Sequence, residues 1–175
     1  MILSEEGEAG NLRSVGYVKF AAVLVVALMV VLRSPATADD VAQRAGVETM
    51  SGVVMPFSMD ATRHVFRPTL RGGTQAVVVI DGDPHQAALV RMHLRMLTAM
   101  FAAGDFADPA AVHGSNMPGL KTLAASRGRL AVRYSDVPNG ARISFHSADA
   151  TVVAALHRWF AAQVRDHGAH AVMHR

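Results

Sequence analysis

"TRHVFRPTLRGGTQAVVVI", residues 62–80, sets two β-prone runs on either side of Gly72-Gly73. Val65 and Phe66 carry the first run and Ala76 to Ile80 the second, so the stretch predicts a hairpin with strands near 62–68 and 74–80. Pro68 has no N–H to give to a ladder, which ends the first strand or confines it to a sheet edge. His64 alternates in phase with Phe66, so if Phe66 points toward a core, His64 does too.

Downstream, Asp83-Pro84 has the form of a helix N-terminus, a capping carboxylate followed by proline in the first turn. The spacing predicts a helix to about Ala103, stopped by Gly104. A helical wheel places Leu89, Val90, Met92, Met96, Leu97, Met100 and Phe101 on one side with His93 near its middle, and Arg91, Arg95 and Thr98 opposite. After "GDFADPAAVHGSNMPGL" (104–120) and a short helix near 118–125 comes "GRLAVRYSDVPNGARISFHS" (128–147). There Leu130, Val132 and Tyr134 alternate against Ile143 and Phe145 around a Pro138-Asn139-Gly140 turn, a second hairpin. Asp149 opens a helix to about Val164, with Val152, Val153, Leu156, Trp159, Phe160 and Val164 inward and His157 at the margin.

The expected fold class is therefore α+β: ββα, a short helix, then ββα, giving a four-stranded, mainly antiparallel sheet with two long helices packed on one face. Residues 55–168 are read as one domain, 39–54 as a loose lead-in and 169–175 as a histidine-containing tail. Residues 1–38 read as a signal peptide. The thirteen-residue apolar run Phe20–Leu32 is flanked by Lys19 and followed by Ala36-Thr37-Ala38. As a helix that run reaches about 20 Å against a hydrocarbon core of roughly 30 Å, too short for a stable anchor after cleavage. The expected location is periplasmic or secreted.

Removing residues 1–38 takes away three basic and three acidic side chains, so the net charge stays at +3. There is no run of four basic residues and no glycine-rich phosphate loop, so no nucleic-acid partner is expected. With nine histidines, ten methionines and no cysteine, any metal has to be held by imidazole, thioether or carboxylate. The chain has no H-E-x-x-H helix, no G-x-S-x-G elbow and no C-x-x-C-H haem attachment.

A buried imidazole needs a partner for each ring nitrogen, which singles out His64, His93 and His157. His113 and Met117 share a loop that can aim both at one point. These five are the candidate ligands of a metal ion, with copper suggested by the imidazole and thioether pairing and zinc or non-covalent haem as further options. His85, His146, His167, His170 and His174 read as solvated, and Met92, Met96 and Met100 as an inward packing stripe. Asp105, Asp108 and Asp166 are the carboxylates available for acid–base work.

The pieces "MPF" (55–57), "TRHVF" (62–66), "GDFADPAAVHGSNMPGL" (104–120), "VRYSDVPNGARISF" (132–145) and "ALHRWFAAQVRDHG" (155–168) resemble a family of small, often exported bacterial proteins with no established activity. Some members carry the label aspartate carbamoyltransferase. That enzyme is a far larger two-domain protein with a Ser-x-Arg-Thr-Arg phosphate loop, which this chain lacks, so the resemblance implies no activity. Within the matching pieces lie His64, His113, Met117 and His157.

Three functions follow from these residues. The first is an exported metal-binding protein using His64, His93, His113, Met117 and His157. The second is a small hydrolase or isomerase acting on a small molecule, with His113 or His157 as general base and water as nucleophile. The third is an interaction domain whose histidines are structural. Oligomeric state has no signature in the sequence.

Overall fold

The computed structural model describes residues 37–174, and all but the last two residues of the leader read over 1–38 lie outside them. The chain divides at Ser34/Pro35, and everything below belongs to the second unit. Its elements are α1 (Ala38–Val54), β1 (Thr62–Thr69), β2 (Gly72–Val79), α2 (Pro84–Ala102), α3 (Ala107–His113), α4 (Leu120–Ala124), β3 (Ala131–Val137), β4 (Gly140–His146), α5 (Ala150–His167), a 3-10 turn (Gly168–His170) and β5 (Ala171–Met173).

The sheet is five-stranded and mixed, in the order β3-β4-β2-β1-β5, and this overturns the four-stranded ββα-ββα arrangement. β5 runs parallel to β1, pairing His64 with Ala171 and Phe66 with Met173. Three residues of "AVM" are too few to show a period of 2, so a strand in the expected tail has no sequence signature. Pro68 is still accommodated as its chemistry requires, because it pairs with Gly73 on β2 and lies beyond the reach of β5 on the other side.

Cross-strand partners share a face, and the pairs Phe66–Gln75–Ile143 and His64–Val77–Ala141 lie on the buried one. α2 packs over β3 and β4, and α5 over β2, β1 and β5. Phe66, Phe101, Phe145, Trp159 and Phe160 form an aromatic cluster between helices and sheet. α2 is capped by Asp83, whose carboxylate accepts from His85 N at 2.8 Å, and Asn139 takes the left-handed conformation its turn requires, φ 56°.

Two further expectations are corrected. The lead-in is a seventeen-residue helix, α1, which packs on α3 and α5 while burying only Val47 and Ser51; so narrow an inward stripe hides its amphipathicity. Met92 and Met96 face outward, 57% and 48% exposed. The arginine flank of α2 is the one in contact with the second hairpin. Arg91 donates to the Gly140 and Val137 carbonyls, and the Arg95 guanidinium lies 4.9 Å over the Tyr134 ring. These contacts hold the arginine flank of α2 against the β3–β4 hairpin, while Leu94 lies in the core and the two methionines face solvent.

α1 starts in a capping box: Thr37 Oγ1 accepts from Asp40 N, and the Asp40 carboxylate accepts from Thr37 N. A cut after Ala38 removes that cap. Thr37→Ala is expected to weaken α1 by about 1 kcal/mol, read as faster amide exchange over 38–54 with α5 unchanged; equal exchange in both proteins would refute the role of the cap. Among the described residues no helix is long and apolar enough to cross a membrane.

Candidate functional site: a histidine-lined cavity

Four histidines from four elements line one small cavity: His64 on β1, His93 on α2, His113 at the end of α3 and His167 at the end of α5. All are buried, at 2%, 4%, 7% and 5% exposure. The cavity measures about 30 Å³, room for one or two water molecules. Gln75, Gln163 and Asp108 contribute the other polar side chains of its wall.

His64 reaches the cavity because its strand alternation turns it to the helix side, between Val77 on β2 and the small Ala171 on β5. Phe57 packs beside it, with ring centroids 6.1 Å from His64 and 5.6 Å from His93. The His64 and His167 rings are stacked, 4.9 Å apart with 11° between planes, and His113 meets His167 edge-on at 4.8 Å.

His113 is held by a carboxylate. Its Nδ1 lies 3.1 Å from Asp166 Oδ2, and both side chains are almost fully enclosed, at 2% and 1% exposure. The second carboxylate oxygen accepts from Arg165 Nε at 2.9 Å. Gln43 of α1 donates to the His113 carbonyl at 3.1 Å and lies 3.5 Å from Asp166 Oδ2, so α1 covers the pair. An ionised carboxylate only accepts, which places a proton on His113 Nδ1 and, in the neutral ring, makes Nε2 the acceptor. Burial works to raise the Asp166 carboxyl, but the hydrogen bond from His113 and the Arg165 guanidinium outweigh it and hold the group below the usual carboxylate range.

The other rings are neutral. Burial, followed by the neighbouring His113 and His93, pushes His64 down to about 3. Burial, followed by His64 and His113, pushes His167 down to about 2. His93 is lowered by burial as well, against the opposing charge of Asp108. His64 Nδ1, His167 Nε2 and Gln75 Oε1 are buried without a hydrogen-bond partner. Each such atom costs roughly 1–3 kcal/mol as long as it has no partner.

The structure thus brings together His64, His93 and His113 of the five candidate ligands and separates the other two. His157 Nε2 sits 2.8 Å from the Gly72 carbonyl, tying α5 to the first hairpin turn. His157→Ala is expected to cost about 1 kcal/mol of stability and to leave the cavity intact, which thermal melts and histidine NMR shifts would check. Met117 packs into the apolar core. Of the residues read as solvated, His167 is a wall of the cavity; extending the inward stripe Leu156, Phe160, Gln163 by four positions reaches it. The apolar signal stops at Val164 because the last turn buries Gln163, Asp166 and His167, polar groups with no hydrophobic periodicity.

Outside the cavity, an open groove of about 580 Å³ runs along α1 and is lined by Gln43, Ser115, Asn116, Arg165 and both members of the His113–Asp166 pair. Among the described residues, no group of three or more histidine, aspartate or glutamate side chains is preassembled to hold a metal ion. Comparison with family models, with curated proteins and with solved structures found no match.

Proposed function

We propose that this domain is a small acid–base enzyme, a hydrolase or isomerase, with His113 as general base and Asp166 as the group that orients it. The observation that carries the reading is the enclosed 3.1 Å contact between His113 Nδ1 and Asp166 Oδ2. A carboxylate on Nδ1 fixes the tautomer in which Nε2 accepts a proton, and it stabilises the imidazolium that results. His113 also lies between the inner cavity, which has room for water, and the outer groove, which has room for a small molecule. In a hydrolase, Nε2 takes a proton from water as its oxygen attacks; in an isomerase, it takes one from a carbon next to a carbonyl.

Copper is not favoured by this arrangement. The thioether of Met117 lies in the core and Met92 and Met96 are at the surface, so the thioether expected as a ligand does not reach the cavity, whose wall holds one methionine, Met55, beside four imidazoles. The test is a panel of small esters, amides and carbonyl compounds with exchangeable α-hydrogens, assayed with the unmodified chain and with His113→Asn. Turnover or α-hydrogen exchange that disappears in the variant supports the reading. Activity that survives in His113→Asn, or no activity above that background on any member, overturns it.

A further inference from the structure

The cavity contains more unsatisfied nitrogen than a general base needs. His64 and His167 are each at least nine-tenths buried, each lines the same 30 Å³ space, and each has a ring nitrogen without a partner. His93 lines that space from the opposite element and shares the Phe57 contact with His64. A neutral imidazole has one N–H and one lone pair, so three such rings lining one cavity can turn lone pairs toward a cation.

The geometry points to a binding site for one divalent transition-metal ion of the zinc class, held by ring nitrogens of His64, His93 and His167, with a fourth position for water beside His113. All three donors are imidazoles, which suit borderline cations such as zinc and cobalt(II) and discriminate against hard cations. Metal–imidazole bonds of roughly 2.0–2.1 Å require the stacked His64 and His167 rings to turn about their Cβ–Cγ bonds from their present spacing of 4.9 Å. Gln75 Oε1, the third unpartnered atom of the cavity wall, is an acceptor for a proton of the bound water.

The ion's binding stands apart from the acid–base reading, whereas the role of its water rests on it. In a hydrolytic step the water O–H bond breaks, its proton goes to His113 Nε2, and its oxygen bonds to the acyl carbon. The bond from that carbon to the leaving group then breaks, and the leaving group takes the proton from His113.

The experiment is titration of the full chain with cobalt(II), followed by displacement with zinc, in the unmodified protein, in the double variant His64→Gln/His167→Gln, in His113→Asn and in His170→Gln/His174→Gln. The expected result is one ion per chain with a visible tetrahedral cobalt spectrum. That spectrum should be lost in the first variant and retained in the other two, with His113→Asn binding metal but losing turnover. Retained metal with turnover unaffected by His113→Asn would defeat the acid–base reading alone. No stoichiometric binding, loss of the ion with the tail histidines, or an unchanged spectrum in the double variant overturns the site. Loss of the ion in His113→Asn overturns the assignment of His113 to the water. Should the double variant fail to fold, ring-nitrogen NMR of the unmodified chain decides, since zinc has to shift His64 and His167; unmoved resonances mean that the cavity holds water only.

Discussion

Lowering the pH from 7 to 5 is expected to remove about 4 kcal/mol of folding stability from the metal-free protein, a large share of what a domain of this size has. The argument starts from two enclosed rings. His64 titrates near 3 and His167 near 2 in the folded chain, while in the unfolded chain both titrate near 6.5. Between 6.5 and those lower values the unfolded state binds more protons, so stability rises with pH and falls as acid is added. The loss begins near 6.5 and continues until the folded rings themselves take up protons. Over the interval from 7 to 5 each ring contributes about 2 kcal/mol. His93, lowered in the same direction, adds to the loss.

The carboxylates act in a separate window. Asp40, Asp136, Asp149 and Asp166 are all held below their ordinary range, so the stability they contribute is present above about 4 and is lost only in stronger acid. Urea denaturation at pH 7, 6 and 5 measures the histidine term directly. Replacing His64 by glutamine, whose amide does not titrate, should take away about half of the pH dependence. A stability that stays flat from 7 to 5 would mean that the two rings are accessible to protons in the folded state, and their burial would have to be abandoned.

Legibility in the sequence follows the strength of the periodic signal. β1 with β2, β3 with β4, α2 and most of α5 are long enough, and sharply enough punctuated by Gly72-Gly73, Asp83-Pro84, Asn139-Gly140 and Asp149, for period 2 or 3.6 to stand out. α1 and β5 are not. α1 turns only Val47 and Ser51 fully inward, and β5 is three residues long. Both are held by tertiary partners, α1 by α3 and α5 and β5 by β1, and a local reading has no access to partners. The same cause splits the candidate site. His64, His93 and His113 could be picked out because each interrupts or ends an apolar pattern. Asp166 stands among the carboxylates available from the sequence, but its pairing with His113 has no local signature, and His167 reads as solvated because it sits where the apolar pattern has already ended, in a helical turn whose inward side is polar. His157 was equally conspicuous on its helix, yet the carbonyl that satisfies it belongs to Gly72, eighty-five positions away.

Asp166→Asn is expected to lower turnover by roughly 10²–10⁴-fold, the range of a positioned acid–base group, while costing only a few kcal/mol of stability. The reason lies in which atom faces His113. Arg165 donates to Oδ1 and His113 to Oδ2, so the carboxylate uses both oxygens as acceptors. An amide has only one oxygen. If it faces Arg165, the NH₂ group faces His113 and forces Nδ1 to become the acceptor, which moves the imidazole proton to Nε2 and leaves the base without its lone pair. If the oxygen instead faces His113, the NH₂ group points at the guanidinium, and two donors repel. Either orientation also removes the negative charge that stabilises a protonated His113. A purely structural Asp166 predicts another pattern: lower stability with an unchanged His113 tautomer. Ring-nitrogen NMR of His113 therefore separates the two roles even without a substrate. A shift of the proton from Nδ1 to Nε2 is the expected result. An unchanged tautomer together with unchanged turnover on any active member of the panel would reduce Asp166 to a packing residue and remove the base proposed at His113.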